Sequence, residues 1–223
     1  MNIIDYPDRE ALAIGLADLI ASQLETSLLT HPQATLAVPG GTSPAPIFDN
    51  LCATSRVDWA RVNVMLTDER WVPETSERSN GRLIKQHLLT DAAGAATFLP
   101  FYVEGETPDS ASGMVSDQLA DKMPISVLLL GMGADMHTAS LFPGAIGLAE
   151  GLSDNAPILV PVQAEGQEPR ISLSAPALNG ALCKHLVIYG SDKKEALMRA
   201  KDLPPEEAPI AAVLSDMSVH WAE

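Results

Sequence analysis

The chain has 223 residues, an ordinary length for one α/β domain, and 46% of them are hydrophobic, enough for a sizeable core. Its formal net charge is −15, from 29 acidic and 14 basic residues, which excludes a surface that binds nucleic acids or anionic membranes non-specifically. The hydrophobic content also excludes a disordered chain. The few basic side chains are informative, because an anionic ligand needs local positive charge within this acidic background.

Cysteine usage and the apolar segments predict where the protein works. Cys52 and Cys183 are too few for a disulfide scaffold or a structural zinc site, and they favour a reducing compartment. The N-terminal stretch carries acids where a signal peptide carries basic residues. The apolar run at 127–130 is far shorter than the roughly 20 residues that span a bilayer. We therefore expect a soluble, cytoplasmic protein.

Helical periodicity and short apolar runs alternate along the chain. Leucines and isoleucines recur at spacings of three and four, which predicts an amphipathic helix over 8–28. The later predicted helices begin near Pro44 and cover 79–89 and 192–200. The predicted strands are 34–38, 62–66, 127–130, 158–162, 171–173, 186–189 and 211–214, with an irregular excursion over 144–170.

Strands that are apolar on both faces and alternate with helices predict a parallel sheet. We expect one doubly wound α/β domain over 1–223, with a mostly parallel sheet flanked by helices. In such a fold, ligands bind beyond the carboxyl ends of the strands. Four blocks with polar or glycine-rich character follow predicted strands.

The first block is a glycine turn that contains Gly40, Gly41, Thr42 and Ser43. Paired glycines let backbone N–H groups face an anion, and the two hydroxyl groups can donate hydrogen bonds. The alternative is a plain tight turn in which Ser43 caps the next helix. The turn is neither a Walker loop nor a dinucleotide fingerprint, so it indicates neither ATP nor NAD.

The second block, Asp68-Glu69-Arg70, follows the strand at 62–66. Three consecutive charges cannot enter the core without partners. The planar fork of Arg70 suits a phosphate or carboxylate, while Asp68 and Glu69 can orient donors or contact ligand hydroxyls. The alternative is a solvated loop with a local ion pair. Downstream, Ser79 is a candidate helix cap beside Asn80.

The third block, Gly131 to Gly144, is the most specific because it places His137 in a glycine-rich loop after a buried strand. Histidine is the side chain best suited to general-base work near neutral pH. Asp135 can orient its ring or help the loop turn. We predict structural roles for the other histidines, which are His31, His87, His185 and His220.

The fourth block supplies two cations. Arg170 begins a predicted strand after a stretch with almost no basic residues, and Lys193 lies in the first turn of a predicted helix. Both are expected near the same sheet edge, although a solvent-exposed position remains an alternative for the lysine. Ser174 and Asn179 are expected first as helix caps.

The segments PGGTSP, TDERWVP with SNGR, GMGADMHTASLFPG, and RISLSAPALN with GSDKKEAL occur in this order between residues 40 and 197. Together they resemble the 6-phosphogluconolactonase family, within the wider glucosamine-6-phosphate isomerase/deaminase-like superfamily. The resemblance implies a cytosolic lactone hydrolase of the oxidative pentose phosphate pathway that needs neither metal nor cofactor. It implies a sugar-phosphate substrate. From the acidic net charge we expect no nucleic-acid or membrane partner, and we expect a monomer or weak homo-oligomer.

The resemblance also implies roles for individual residues. His137 would take a proton from the water that attacks the lactone carbonyl, with Asp135 as its catalytic partner. The residues implied to bind the phosphate and the sugar ring are Gly40, Gly41, Thr42, Ser43, Asp68, Arg70, Asn80, Arg170 and Lys193.

Two departures from the family pattern and two alternatives remain. Met136 stands where the family usually has glycine, and Pro39 stands where serine is usual. A glycine at this position either allows a positive φ or makes room for substrate, so a side chain at 136 is expected to strain or narrow the loop. One alternative is a glucosamine-6-phosphate deaminase or isomerase, although that branch usually follows the histidine with an Asn-Glu pair. The other is a non-catalytic sugar-phosphate-binding module.

Overall fold

The computed structural model describes residues 1–223, and a seven-stranded parallel sheet forms its centre. The strands in chain order are β1 Asn2–Asp5, β2 Ala34–Val38, β3 Val62–Leu66, β4 Asp68–Arg70, β5 Thr97–Leu99, β6 Val127–Gly131, β7 Leu159–Val162, β8 Arg170–Leu173, β9 Cys183–Tyr189 and β10 Ser218–Ala222. The central sheet has the order β1-β10-β9-β6-β2-β3-β5. The predicted α/β fold with a mostly parallel sheet is confirmed.

Seven α-helices accompany the strands. They are α1 Arg9–Thr30, α2 Ala45–Leu51, α3 Asn80–His87, α4 Pro108–Leu119, α5 Leu148–Leu152, α6 Ala175–Asn179 and α7 Ser191–Ala200. The chain runs outward from β2 through β3 to β5, then returns to β6 on the other side of β2 and continues to β9 and β10. The direction of winding therefore reverses between β2 and β6, where an open α/β sheet forms its ligand crevice.

A separate three-stranded antiparallel sheet, β4-β8-β7, lies beside this crevice. Its register pairs Asp68 with Ser172 and Arg70 with Arg170. The solvated loop that was the alternative for residues 68–70 is therefore wrong, because these residues form a strand. Three charged residues are too short a segment to show the alternating pattern of a strand. Pairing with β8 brings two of the sequence blocks together.

The N-terminal helix α1 confirms the first predicted helix, with its ends shifted by one and two residues. Asp8 caps it by accepting a hydrogen bond from the backbone N–H of Ala11 at 2.7 Å. By length and composition, α1 is also apolar enough to cross a membrane. Its apolar character is accounted for by core packing, because these of its residues are buried in the core: Leu12, Ala13, Leu16, Ala17, Ile20, Ala21, Leu24 and Leu28.

The strand predicted at 211–214 is wrong. Pro209–Val213 is a 3₁₀ helix, and the last strand of the sheet is β10, which was not predicted. A short apolar run does not distinguish a strand from a buried helical turn. The last strand escaped prediction because His220 interrupts its apolar pattern, although the ring is completely buried.

Other elements also lay outside the prediction. The strands β1 and β5 are short, and α4 buries only a narrow stripe of apolar residues. The start of α4 carries a capping box formed by Thr107 and Ser110. The excursion at 144–170 is less irregular than expected, since it contains α5 as well as the predicted strand.

Two buried histidines form a continuous chain of hydrogen bonds with Tyr6 and with Gln23 of α1. Tyr6 Oη lies 3.0 Å from His220 Nδ1, His220 Nε2 lies 3.0 Å from His185 Nδ1, and His185 Nε2 lies 2.7 Å from Gln23 Oε1. All three contacts are satisfied when both rings are neutral, donate from Nε2 and accept at Nδ1. Burial lowers the pKa of each histidine to about 4, and the neighbouring ring adds to the shift for His220.

This pair predicts a loss of stability in mild acid. Each histidine has a pKa of about 4 in the folded protein and about 6.5 in the unfolded chain, so the unfolded chain binds more protons between these two pH values. The folded state is therefore most favoured above pH 6.5 and loses stability as the pH falls toward 4. The unfolding free energy is expected to fall by about 2 kcal/mol for each histidine between pH 7.5 and 5, as measured by urea denaturation. His220→Gln should lose about 2 kcal/mol less over this interval, whereas the exposed-site control His31→Gln should follow wild type. Equal pH dependence in all three proteins would contradict the assignment.

Candidate active site

A cleft of about 240 Å³ opens at the carboxyl ends of β2, β6 and β9, at the switch point of the sheet. The predicted site residues that line it are Gly40, Gly41, Ser43, Asp68, Arg70, Asn80, His137, Arg170 and Lys193. Thr42 instead faces a neighbouring cavity of about 450 Å³. Asp135 does not line the cleft and contacts the ring of His137. The structure therefore gathers four separate sequence blocks around one cleft.

The glycine turn after β2 presents free backbone donors. The N–H groups of residues 40–43 donate no hydrogen bond within the protein. Gly41 has a φ of +85°, and a Cβ on Gly40 would collide with the amide group of Asn80. Ser43 does not cap α2, whose cap position is Pro44 without a side-chain hydrogen bond. The turn is thus open to an anionic group, as a backbone anion site requires.

The loop after β6 holds a histidine–aspartate pair. Asp135 Oδ1 lies 2.5 Å from His137 Nδ1 and also accepts a hydrogen bond from the His137 backbone N–H at 3.3 Å. The backbone N–H of Gly133 donates to the carbonyl of His137 at 3.0 Å, which closes the loop. Because Nδ1 is engaged by the carboxylate, Nε2 is the ring nitrogen left for a ligand or water. The His137 side chain is 29% exposed, so solvent reaches it.

Two non-glycine residues of this loop have a left-handed backbone. Met136 has a φ of +66° and Ala139 a φ of +48°. A residue with a side chain costs about 1–2 kcal/mol in the left-handed backbone conformation, so the strain expected at Met136 is present. The loop is not narrowed there, because Met136 does not line the cleft and instead packs against the core.

Arg170 and Asp68 form a buried pair at the base of the cleft. Arg170 Nη1 lies 3.8 Å from Asp68 Oδ2, and the two side chains are 10% and 8% exposed. Ser140 Oγ donates to the same carboxylate oxygen at 2.6 Å, which connects the histidine loop to β4. Burial lowers the pKa of Arg170, and the charge of Asp68 opposes that shift. A guanidinium group nevertheless remains protonated at neutral pH.

Positive charge exceeds negative charge around the cleft. Arg70, Arg170 and Lys193 line it, against the single carboxylate of Asp68. Lys193 forms no ion pair, and Arg70 uses Nη1 to contact the carbonyl of Arg78 at 2.7 Å. The Nε atoms of both arginines are buried without a partner. In a chain of net charge −15, this local excess favours an anionic ligand.

Sequence reasoning missed one residue that lines the cleft. Tyr189 ends β9 and lines both the cleft and the neighbouring cavity, where the guanidinium of Arg9 lies 5.2 Å from its ring centre. Its position at the carboxyl end of a predicted strand was the available signal. Glu69 is 2% exposed and accepts hydrogen bonds from backbone donors at the start of α3. These contacts agree with the predicted role of orienting donors and not with the alternative of contacting ligand hydroxyls. No three His, Cys, Asp or Glu side chains come together as a metal-binding group.

The fold and the cleft define an α/β protein that presents a histidine–aspartate pair beside three cationic side chains at a sheet switch point. Residues 7–221 match the family model described as glucosamine-6-phosphate isomerases/6-phosphogluconolactonase. The chain belongs to this family.

Individual relatives agree with the family assignment. The chain is 40% identical to a 6-phosphogluconolactonase of Rhizobium meliloti, covering 100% of this chain and 98% of the relative. It is 36% identical to a 6-phosphogluconolactonase of Pseudomonas putida, covering 99% and 93%. Among solved structures, a 6-phosphogluconolactonase from Shewanella baltica superimposes with a TM-score of 0.96 at 31% identity, covering 100% and 98%.

Proposed function

We propose that this protein hydrolyses 6-phospho-D-glucono-1,5-lactone to 6-phosphogluconate in the oxidative pentose phosphate pathway, with His137 as the base that activates water. The observation that carries the proposal is the His137–Asp135 pair at a cleft lined by three cations. Full-length similarity to proteins named 6-phosphogluconolactonase supports the choice of substrate.

The proposed reaction begins with proton transfer from water to His137 Nε2 as the water oxygen attacks C1 of the lactone. Asp135 holds the opposite ring nitrogen and stabilises the imidazolium that forms. The tetrahedral intermediate then collapses, the bond from C1 to the ring oxygen breaks, and His137 returns its proton to that oxygen. The product has a free hydroxyl group and a carboxyl group, which ionises at neutral pH. A positioned base of this kind contributes about 10²–10⁴-fold to the rate.

The cations and the glycine turn supply the proposed phosphate site. Arg170, Lys193 and Arg70 contribute positive charge, and the free N–H groups of residues 40–43 contribute neutral donors. Thr42 would act through its backbone N–H, because its side chain faces the neighbouring cavity.

Two residues are proposed to bind the sugar hydroxyl groups, and they differ in how many hydrogen bonds they already make within the protein. Asn80 Oδ1 is a buried acceptor without a protein partner, so it is the stronger candidate. Asp68 already accepts hydrogen bonds from Ser140 and Thr67. Its role therefore lies first in holding Arg170 and the histidine loop.

The wider setting of the enzyme is also a proposal. One hydrophobic core of 60 buried residues supports a single domain over 1–223. We propose that this domain acts in the cytoplasm on a small sugar phosphate, as a monomer or weak homo-oligomer, and that its reaction requires no metal or cofactor.

A two-substrate assay tests the function. Fresh 6-phosphogluconolactone is followed by acid release at a pH low enough to slow spontaneous opening, and glucosamine 6-phosphate is followed by ammonia release. We expect acceleration of the first reaction alone. Ammonia release would favour the deaminase alternative, and binding of 6-phosphogluconate without either reaction would favour the binding module.

The similarity to a monomeric glucosamine-6-phosphate deaminase, 14% identical with a TM-score of 0.78, reflects the shared fold alone.

Replacing Met136 by glycine is expected to leave kcat within about twofold of wild type, because the Met136 side chain does not line the cleft. Relief of the left-handed strain opposes the loss of apolar packing and the added backbone freedom, so the unfolding free energy should change by less than about 1 kcal/mol. Lactone hydrolysis and urea denaturation measure the two effects. A large change in kcat would mean that the methionine shapes the site after all.

A further inference from the structure

Glu69 is a buried carboxylate that accepts four hydrogen bonds from two segments of the cleft wall, the end of β4 and the start of α3. Its Oε1 accepts from the backbone N–H groups of Arg70 at 2.8 Å and Asn80 at 2.7 Å. Its Oε2 accepts from the backbone N–H of Gly81 at 2.8 Å and from the hydroxyl of Ser79 at 3.0 Å. No cation lies within ion-pair distance of this carboxylate. Neutral donors alone therefore hold a side chain that is 2% exposed.

Two of these donors belong to residues that line the cleft. Arg70 lies at the end of β4 and Asn80 at the start of α3, so a single oxygen of Glu69 fixes both backbones. Asn80 Nδ2 in turn donates to the carbonyl of Asp68 at 2.8 Å, and its amide group packs directly against Gly40 of the first glycine turn. Glu69 thus connects β4 to α3 directly, and it is linked to the glycine turn through the side chain of Asn80.

Helix capping alone does not require this carboxylate. Ser79 already caps α3 by accepting from the backbone N–H of Arg82 at 3.1 Å. Burial of an unpaired charge is costly, and burial raises the pKa of Glu69 while its four hydrogen bonds oppose the shift. A neutral apolar residue at 69 would avoid that cost but would leave four buried donors without an acceptor.

We propose that Glu69 is a positioning residue that holds the backbones of Arg70 and Asn80 so that their side chains are placed to bind the substrate. This inference rests on the proposed lactonase function. Glu69 does not line the cleft and acts only through its neighbours. The histidine loop lies outside its contacts, because His137 is held by Asp135 and Gly133. Loss of Glu69 should therefore weaken substrate binding strongly and slow the chemical step only slightly.

Glu69→Gln is the informative substitution, because glutamine keeps the shape but has one acceptor oxygen and an NH₂ group. The NH₂ group must then face at least one backbone N–H, because the hydroxyl of Ser79 can turn to accept a hydrogen bond but an amide N–H cannot. We expect the KM for the lactone to rise about tenfold while kcat stays within about threefold. The matched control is Ser79→Ala, which removes one donor and the helix cap but spares the backbone bonds of Arg70 and Asn80. It should lower the Tm by about 3 °C and leave the KM within about twofold.

Binding of the stable product gives a second readout that does not require turnover. Calorimetric titration with 6-phosphogluconate should show a weaker Kd for Glu69→Gln and an unchanged Kd for Ser79→Ala. Equal losses of Tm in the two variants with neither KM nor Kd changed would overturn the proposal and leave Glu69 as a cap. If wild type binds 6-phosphogluconate but does not hydrolyse the lactone, the proposed function fails while the Kd comparison still decides the role of Glu69.

A third variant keeps the test valid if Glu69→Gln does not fold. Asn80→Ala retains the backbone bond to Glu69 and removes the side chain that Glu69 is proposed to position, so its KM should also rise. An unchanged KM or Kd in Asn80→Ala would overturn the proposal.

Discussion

Replacing His137 by alanine is expected to lower kcat for lactone hydrolysis by about 10²–10⁴-fold, the usual contribution of a positioned general base. The physical reason is the geometry of the pair: Asp135 engages Nδ1 at 2.5 Å and leaves Nε2 for water. Binding should change less than kcat, because the proposed phosphate donors lie on other loops. Initial rates corrected for spontaneous opening, with the Kd for 6-phosphogluconate, separate the two effects.

The chain provides a matched control for this substitution. His87 Nδ1 lies 2.8 Å from Asp49 Oδ1 on the surface, so it is a second histidine–aspartate pair away from the cleft. His87→Ala should retain the wild-type rate. A His137→Ala enzyme within about threefold of wild type would rule out the base assignment.

Gly133→Ala is expected to lower kcat at least about 10²-fold, because a misplacement of about 1 Å in catalytic geometry can have this effect. A Cβ at 133 would collide with Nδ1 and Cε1 of His137 and with Oδ1 of Asp135. The ring, the carboxylate or the loop must therefore move. The backbone bond between Gly133 and His137 makes a simple shift of the loop difficult.

The control for this prediction is Gly113→Ala. Gly113 is exposed in α4, and nothing lies within 4 Å of a Cβ at that position. Alanine should slightly stabilise the helix and leave kcat unchanged. If Gly133→Ala retained full activity in a folded protein, the tight packing of the glycine against the pair would have no catalytic importance.

The position of the site could be predicted because its residues follow strands. The glycines at 40–41 and His137 each lie just beyond a buried apolar run, and parallel strands bring such loops to one sheet edge. A positive φ at Met136 was one of the two explanations that the sequence offered for the usual glycine, and the structure has this φ.

The sequence could not predict contacts made by pairing between distant segments. The antiparallel partners β4 and β8 place Arg70 opposite Arg170, yet neither strand is long enough to show periodicity. Glu69 is adjacent to two cleft residues in sequence, but its carboxylate points to the start of α3. Thr42 illustrates the same limit, because one turn of backbone decides which cavity its side chain faces.

The most direct test of the central claim is the rate of acid release from freshly generated 6-phosphogluconolactone with wild-type protein, against the spontaneous rate without enzyme. We predict a clear acceleration that is saturable with substrate and lost in His137→Ala. A well-folded wild-type protein that leaves the spontaneous rate unchanged would contradict the lactonase assignment.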